Sequence, residues 1–196
     1  DTIVDLGRSL SEGLLNEGIL PVMKHIPGHG RAKSDSHLEL PEIKTPLTVL
    51  EQTDFVPFSK LKKLPWAMTA HVIYSGIDPD NPATISSKII NEIIRYEVGF
   101  KGVLISDDIG MEALAGTKGE RAKAILEAGC DLVLECSGKL KDMEEVVSAI
   151  PLINEKTLER LEQGEILRKN SLGASDLSAN DLLEGINKIF KKYSIS

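Results

Sequence analysis

Proton donors, carboxylates and a lysine crowd a few short stretches of this chain. All four histidines fall in two of them: Lys24-His25-Ile26-Pro27-Gly28-His29-Gly30 running on to Asp35-Ser36-His37, and Thr69-Ala70-His71. A third stretch, Gly102-Val103-Leu104-Ile105-Ser106, ends in the acidic pair Asp107-Asp108. Asp35 and His37 are two apart in a polar loop, so the carboxylate can hold one ring nitrogen, fix the tautomer and raise the imidazole pKa; such a pair can pass a proton. Asp107 follows a buried strand and should project over its C-terminal end, which makes it a candidate nucleophile. Asp108 points elsewhere by strand alternation and suits a cap on the following helix. Lys24 and His25 would leave their strand toward a ligand. Pro27, Gly28 and Gly30 then force a sharp turn whose backbone passes close to whatever binds there. His29 suits a bond to loop backbone equally well. His71 reads either as a satisfied core histidine or as a donor at a strand end, Trp66 as core and Tyr74 as a loop-lining residue.

The elements that must position these groups alternate. Leu6, Leu10, Leu14 and Leu15 recur at helical spacing over residues 2–17, a helix closed near Gly18. Residues 19–24 read as a strand, 46–63 as mixed helix, and 66–73 as a buried strand. Ser86 or Ser87 caps a helix whose face is Ile89, Ile90, Ile93 and Ile94, and Gly99 stops it. A strand over 102–106, a helix near 118–128, a strand over 131–135 and helices near 140–149 and 154–168 follow. Residues 173–180 read as a linker before a last helix. Strands alternating with helices give parallel βαβ units, with the functional loops at the strand C-termini.

Length and composition narrow the class. With 196 residues, 41% hydrophobic and 27% charged, one domain with a substantial core is expected. No run approaches the roughly 18 apolar residues of a spanning helix, so no membrane partner is expected. A net charge of −7 without a basic face argues against nucleic acid. Cys130 and Cys136 would stand roughly 20 Å apart along an extended strand and should not pair with each other; both read as core thiols. The N-terminal residues lack the charged head and apolar stretch of a secretory leader.

The segments KHIPGHG…DSH…LP, MTAHVIYSGIDP and GFKGVLISDDIGMEAL resemble those of the family 3 glycoside hydrolases, and among them the bacterial β-N-acetylhexosaminidases of peptidoglycan recycling. The likeness runs in order from the first helix to about residue 170. It implies an α/β fold, a (β/α)8 TIM barrel of which residues 1–172 form the second half, strands five to eight, with 173–196 as linker and terminal helix. It also implies retaining hydrolysis of terminal β-linked N-acetylglucosamine, with Asp107 as nucleophile and an Asp35–His37 pair in place of a carboxylic general acid. Lys24 and His25 then match residues that bind sugar hydroxyls, and His71 completes the expected substrate-binding set. No metal or cofactor is implied. The expected partners are a GlcNAc-containing saccharide or muropeptide and the N-terminal half of the barrel, in the cytoplasm.

Two other classes compete. A metal-dependent barrel hydrolase would use His25, His29, His71 and Asp107 as ligands, although their spacing matches no compact ligand motif. A non-catalytic sugar-binding half-domain would keep the loops without turnover.

Overall fold

The structure is a computed structural model that describes residues 2–34, 39–173 and 178–193. Helix α1 (Thr2–Asn16) leads through Gly18, at φ 74°, into strand β1 (Val22–Ile26). A short strand β2 (Glu42–Ile43), helices α2 (Leu47–Gln52) and α3 (Val56–Lys60), strand β3 (Trp66–Thr69) and a second short strand β4 (Ile73–Tyr74) follow. A 3₁₀ turn (Ala83–Ile85) and a π-helical segment (Ile89–Glu97) lead to β5 (Val103–Asp108) and α4 (Lys118–Ala128). Strand β6 (Leu132–Leu134), α5 (Leu140–Ala149), α6 (Glu155–Ser171) and α7 (Ala179–Tyr193) complete the chain.

Four strands form one parallel sheet in the order β1-β3-β5-β6, each beside its successor, as consecutive strands of a (β/α) barrel are. Period-two alternation gives the sheet two unlike faces. Met23, Ala67, Thr69, Leu104 and Ser106 are buried on one, beneath Ile89, Ile90, Ile94 and Ile125 of the helical layer. Val22, Lys24, Trp66, Met68, Ile105 and Asp107 lie on the other and keep partial access to solvent.

A buried carboxylate fastens the sheet to its helices. Asp131 accepts from the Leu104 amide (2.8 Å), Arg95 (2.8 Å), Arg160 and Thr157 (3.2 Å), so one side chain joins β5, the π-helical segment and α6. Helix α4 starts at a capping box in which Thr117 and Glu120 satisfy each other's amides, and it closes at Gly129, whose φ of 116° suits glycine.

Several expectations are corrected. Leu6 and Leu10 of α1 are 67% exposed, and the helix instead buries Val4 and Ser11, on the side where α3 and α6 pack. The 66–73 run is two strands: β3 ends at Thr69, and Ile73–Tyr74 pairs in parallel with Glu42–Ile43. Ser86 does cap the helix after it, its Oγ accepting from the Ile89 amide at 3.1 Å, but the winding is π: the Val98 amide reaches the carbonyl of Ile93, five residues back, at 2.8 Å. Isoleucines at 89, 90, 93 and 94 line one side in either winding, so their spacing could not tell the two apart.

Candidate active site

Both charged ends of the sheet sit at breaks in the ladder. β1 pairs with β3 in the register Val22–Trp66, Met23–Ala67, Lys24–Met68, and then Ile26–Thr69, so His25 is unpaired at a bulge. The Lys24–His25 and Ile26–Pro27 peptide bonds are both cis. β5 and β6 pair at Ile105–Leu132 and next at Asp108–Leu134, so Asp107 also lies within an irregular step. A bulge bends its strand and re-aims a side chain. Here the two bulges bring His25 Nε2 to 3.4 Å from Asp107 Oδ2, both side chains mostly buried but still open to solvent.

The other Asp107 oxygen is held from within its own strand. Oδ1 accepts from the Asp108 amide at 2.9 Å. Asp108 is itself tied down: its Oδ1 accepts from the amides of Gly110 (2.9 Å) and Cys136 (3.1 Å), the second reaching across to the end of β6. Asp108 therefore does not cap the next helix, which starts at Lys118 behind its own cap, Thr117. Burial, offset in part by Asp107, holds His25 below the ordinary imidazole range, so near neutral pH it is an uncharged hydrogen-bonding group. His29 packs beside it with its ring tilted by 56°, ring centroids 5.6 Å apart. Lys24 is exposed on the open face of the sheet, and with His25, Gly28 and His29 it lines a hollow of about 440 Å³.

His71 departs from its expected place as a sugar ligand. It is fully buried, with Nδ1 2.8 Å from Thr84 Oγ1 and Nε2 3.0 Å from the Asp108 carbonyl oxygen. Both nitrogens are occupied, so the ring offers neither a sugar hydroxyl nor a metal a free edge. Tyr74 is likewise buried rather than loop-lining, and its hydroxyl donates to the Gly28 carbonyl, fixing the turn below His25 and His29. Cys136, expected in the core, is exposed, while Cys130 is buried; both are free thiols. Burial and the carboxylates of Asp108, Glu135 and Asp107 push the Cys136 thiol up.

Asp35 and His37 lie outside the described residues. What precedes and follows them is anchored. Arg31 donates to Asp54 at 2.7 Å and to Thr53 at 3.2 Å on one side, and β2 pairs with β4 on the other. That small sheet escaped the sequence reading because two-residue strands carry no periodicity. No cluster of three or more His, Cys, Asp or Glu side chains suited to a metal occurs among the described residues.

Residues 1–163 match the glycosyl hydrolase family 3 N-terminal domain, and the chain belongs to that family. It is 48% identical over 141 residues to a beta-hexosaminidase of Alkalilimnicola ehrlichii, covering 70% of this chain and 40% of that protein. A beta-hexosaminidase of Neisseria meningitidis is 42% identical over 141 residues, with 70% and 39% covered. Among solved structures, NagZ from Neisseria gonorrhoeae in complex with N-trifluoroacetyl-D-glucosamine superposes with a TM-score of 0.73 at 37% identity, over 87% of this chain and 48% of that one. A family 3 β-N-acetylglucosaminidase from a Paenibacillus species gives 0.74 at 31% identity, over 91% and 37%. The chain thus spans about 40% of the length of the curated relatives it matches.

Proposed function

We propose that this chain supplies the second half of a retaining β-N-acetylglucosaminidase barrel, with residues 1–172 as the half-barrel and 173–196 as linker and terminal helix. The observation that carries the reading is the Asp107 carboxylate: it lies at the strand C-termini, one oxygen held by the Asp108 amide and the other open toward His25. A nucleophile needs that combination of fixed orientation and a free lone pair. Relatives of beta-hexosaminidase type and a neighbour solved with an N-acylated glucosamine support N-acetylglucosamine as the sugar.

In the first step an Asp107 oxygen attacks the anomeric carbon as the bond to the leaving oxygen breaks, and protonated His37, paired with Asp35, gives that oxygen its proton. In the second, His37 takes a proton from water, whose oxygen attacks the same carbon and releases Asp107. Two inversions give net retention. Lys24 and neutral His25 bind sugar hydroxyls beside the reacting carbon. The natural substrate is a muropeptide of wall turnover, handled in the cytoplasm, and strands one to four complete the barrel against the open face and free edges of this sheet.

The test is trapping. With the complete barrel and a slow-turnover fluorinated glycoside, peptide mass spectrometry should place the sugar on the peptide bearing Asp107, and Asp107→Asn should abolish labelling and turnover. A sugar on another residue, or an inverted product by NMR, overturns the reading. His37→Ala should slow poor leaving groups far more than activated aryl glycosides, by about 10²–10⁴-fold for the former.

A further inference from the structure

His71 and Thr84 do nothing in the mechanism above, yet they form a buried polar chain that ends on the residue after the nucleophile. Thr69 Oγ1 lies 2.9 Å from Thr84 Oγ1, Thr84 Oγ1 2.8 Å from His71 Nδ1, and His71 Nε2 3.0 Å from the Asp108 carbonyl oxygen. His71, Thr69 and Thr84 are all fully buried.

The direction of the hydrogen bonds follows from what each atom can do. A carbonyl oxygen only accepts, so Nε2 carries the proton. Burial disfavours a second proton on the ring, so Nδ1 is a bare lone pair and Thr84 donates to it. Thr84 has a single hydroxyl proton. The Ala70 carbonyl, 3.0 Å away, lies within reach of the same proton and shares it with His71, and Thr69 Oγ1 is placed to donate to Thr84 in turn. The chain is polarised throughout: Thr69 to Thr84 to His71 to the Asp108 carbonyl.

Asp108 lies between that carbonyl and the Asp107 carboxylate. Its amide is the donor to Asp107 Oδ1, and its own carboxylate is pinned by Gly110 and Cys136. The backbone at Asp108 is thus gripped at its carbonyl, at its side chain and at its N–H. Only the last grip touches Asp107; the first comes from His71, which shares the carbonyl oxygen with the Met111 amide at 3.2 Å.

We propose that His71 is a positioning residue for the nucleophile: held in its Nε2–H tautomer by Thr84, it fixes the Asp108 carbonyl and thereby the angle at which the Asp108 amide presents Asp107. The inference rests on the reading of Asp107 as nucleophile. A small misplacement of a reacting group costs on the order of 10²-fold in rate without affecting substrate affinity.

The experiment compares His71→Gln, His71→Leu and Thr84→Val in the complete barrel. Glutamine places an amide N–H near the position of Nε2; leucine has no donor; valine removes the hydroxyl that selects the tautomer. His71→Leu should lower the rate of covalent labelling by the fluorinated glycoside and kcat by about 10²-fold. KM and the affinity for free N-acetylglucosamine should stay within about threefold, and His71→Gln should recover most of the labelling rate. Thr84→Val should fall between them, and it reads the same link where His71→Leu does not fold. A labelling rate that stays at wild-type in Thr84→Val and His71→Leu overturns the inference. So does a His71→Gln enzyme that folds but is as slow as the leucine variant. Asp107→Asn run alongside separates the two ideas, because a sugar adduct persisting in that variant sinks the nucleophile assignment whatever the His71 variants do.

Discussion

His25 Nε2 and Asp107 Oδ2 stand 3.4 Å apart although β3 lies between their two strands. The contact spans the sheet where each residue sits at a break in its ladder.

The Asp131 hub should be the most sensitive stability site. Its side chain is 4% exposed and meets two arginines, an amide and a hydroxyl. Asp131→Ala leaves Arg95 and Arg160 buried without their counter-ion and should cost about 3–5 kcal/mol. Asp131→Asn, which keeps one acceptor, should cost less. Urea unfolding of the complete barrel measures both.

Asp108 separates acceptor from charge. Asp108→Asn keeps an oxygen for the Gly110 and Cys136 amides and should retain most stability and substantial activity. Asp108→Ala strips both and should lower stability by about 1–2 kcal/mol. Thermal melts together with kcat distinguish this from the helix-cap role, under which the main loss would be helix content near residue 118.

Acid should weaken the fold through its histidines. Burial lowers the folded pKa of both His71 and His25. The unfolded chain therefore binds more protons than the folded one just below the ordinary imidazole value of about 6.5. Their contribution is complete above that pH and is lost as pH falls toward the folded values. The loss is at most about 1.4 kcal/mol per histidine per pH unit. Asp107 and Asp108 of β5 favour the charged His71 ring and Arg121 of α4 opposes it, with burial dominant. Denaturation curves from pH 7.5 to 5 should show the slope, and His71→Gln should flatten it.

Expressed alone, the 196-residue chain should self-associate. Among the described residues the outer edges of β1 and β6 are unpaired, Val22 is 41% exposed, and Ile3, Leu6 and Leu10 form an apolar stripe on α1. Light scattering against concentration checks this, with a monomer showing a sharp cooperative melt as the contrary result.

Much of this was legible in the residues. Val103-Leu104-Ile105 announced a strand, and the alternation of apolar runs with helical stretches announced a parallel sheet. Other features were not, for physical reasons. A bulge is a property of two strands together, so nothing in Lys24-His25-Ile26 marks His25 as the unpaired residue. The fate of His71 depended on Thr84 and Asp108, distant in sequence, and a histidine after a strand looks the same whether it turns inward or outward. Leu6 and Leu10 defined an apolar face of α1, but periodicity does not say which neighbour covers it.

The two ladder breaks also set regular pairing of the sheet against the contact between His25 and Asp107. Removing His25, or one residue from Ser106-Asp107, would shorten a strand by the odd residue and let regular pairing continue. Such a deletion would improve the sheet as a scaffold while turning the candidate nucleophile or its neighbour away from the mouth. Selection for stability alone would erase these irregularities, so their presence is a mark of a sheet shaped by what it must hold.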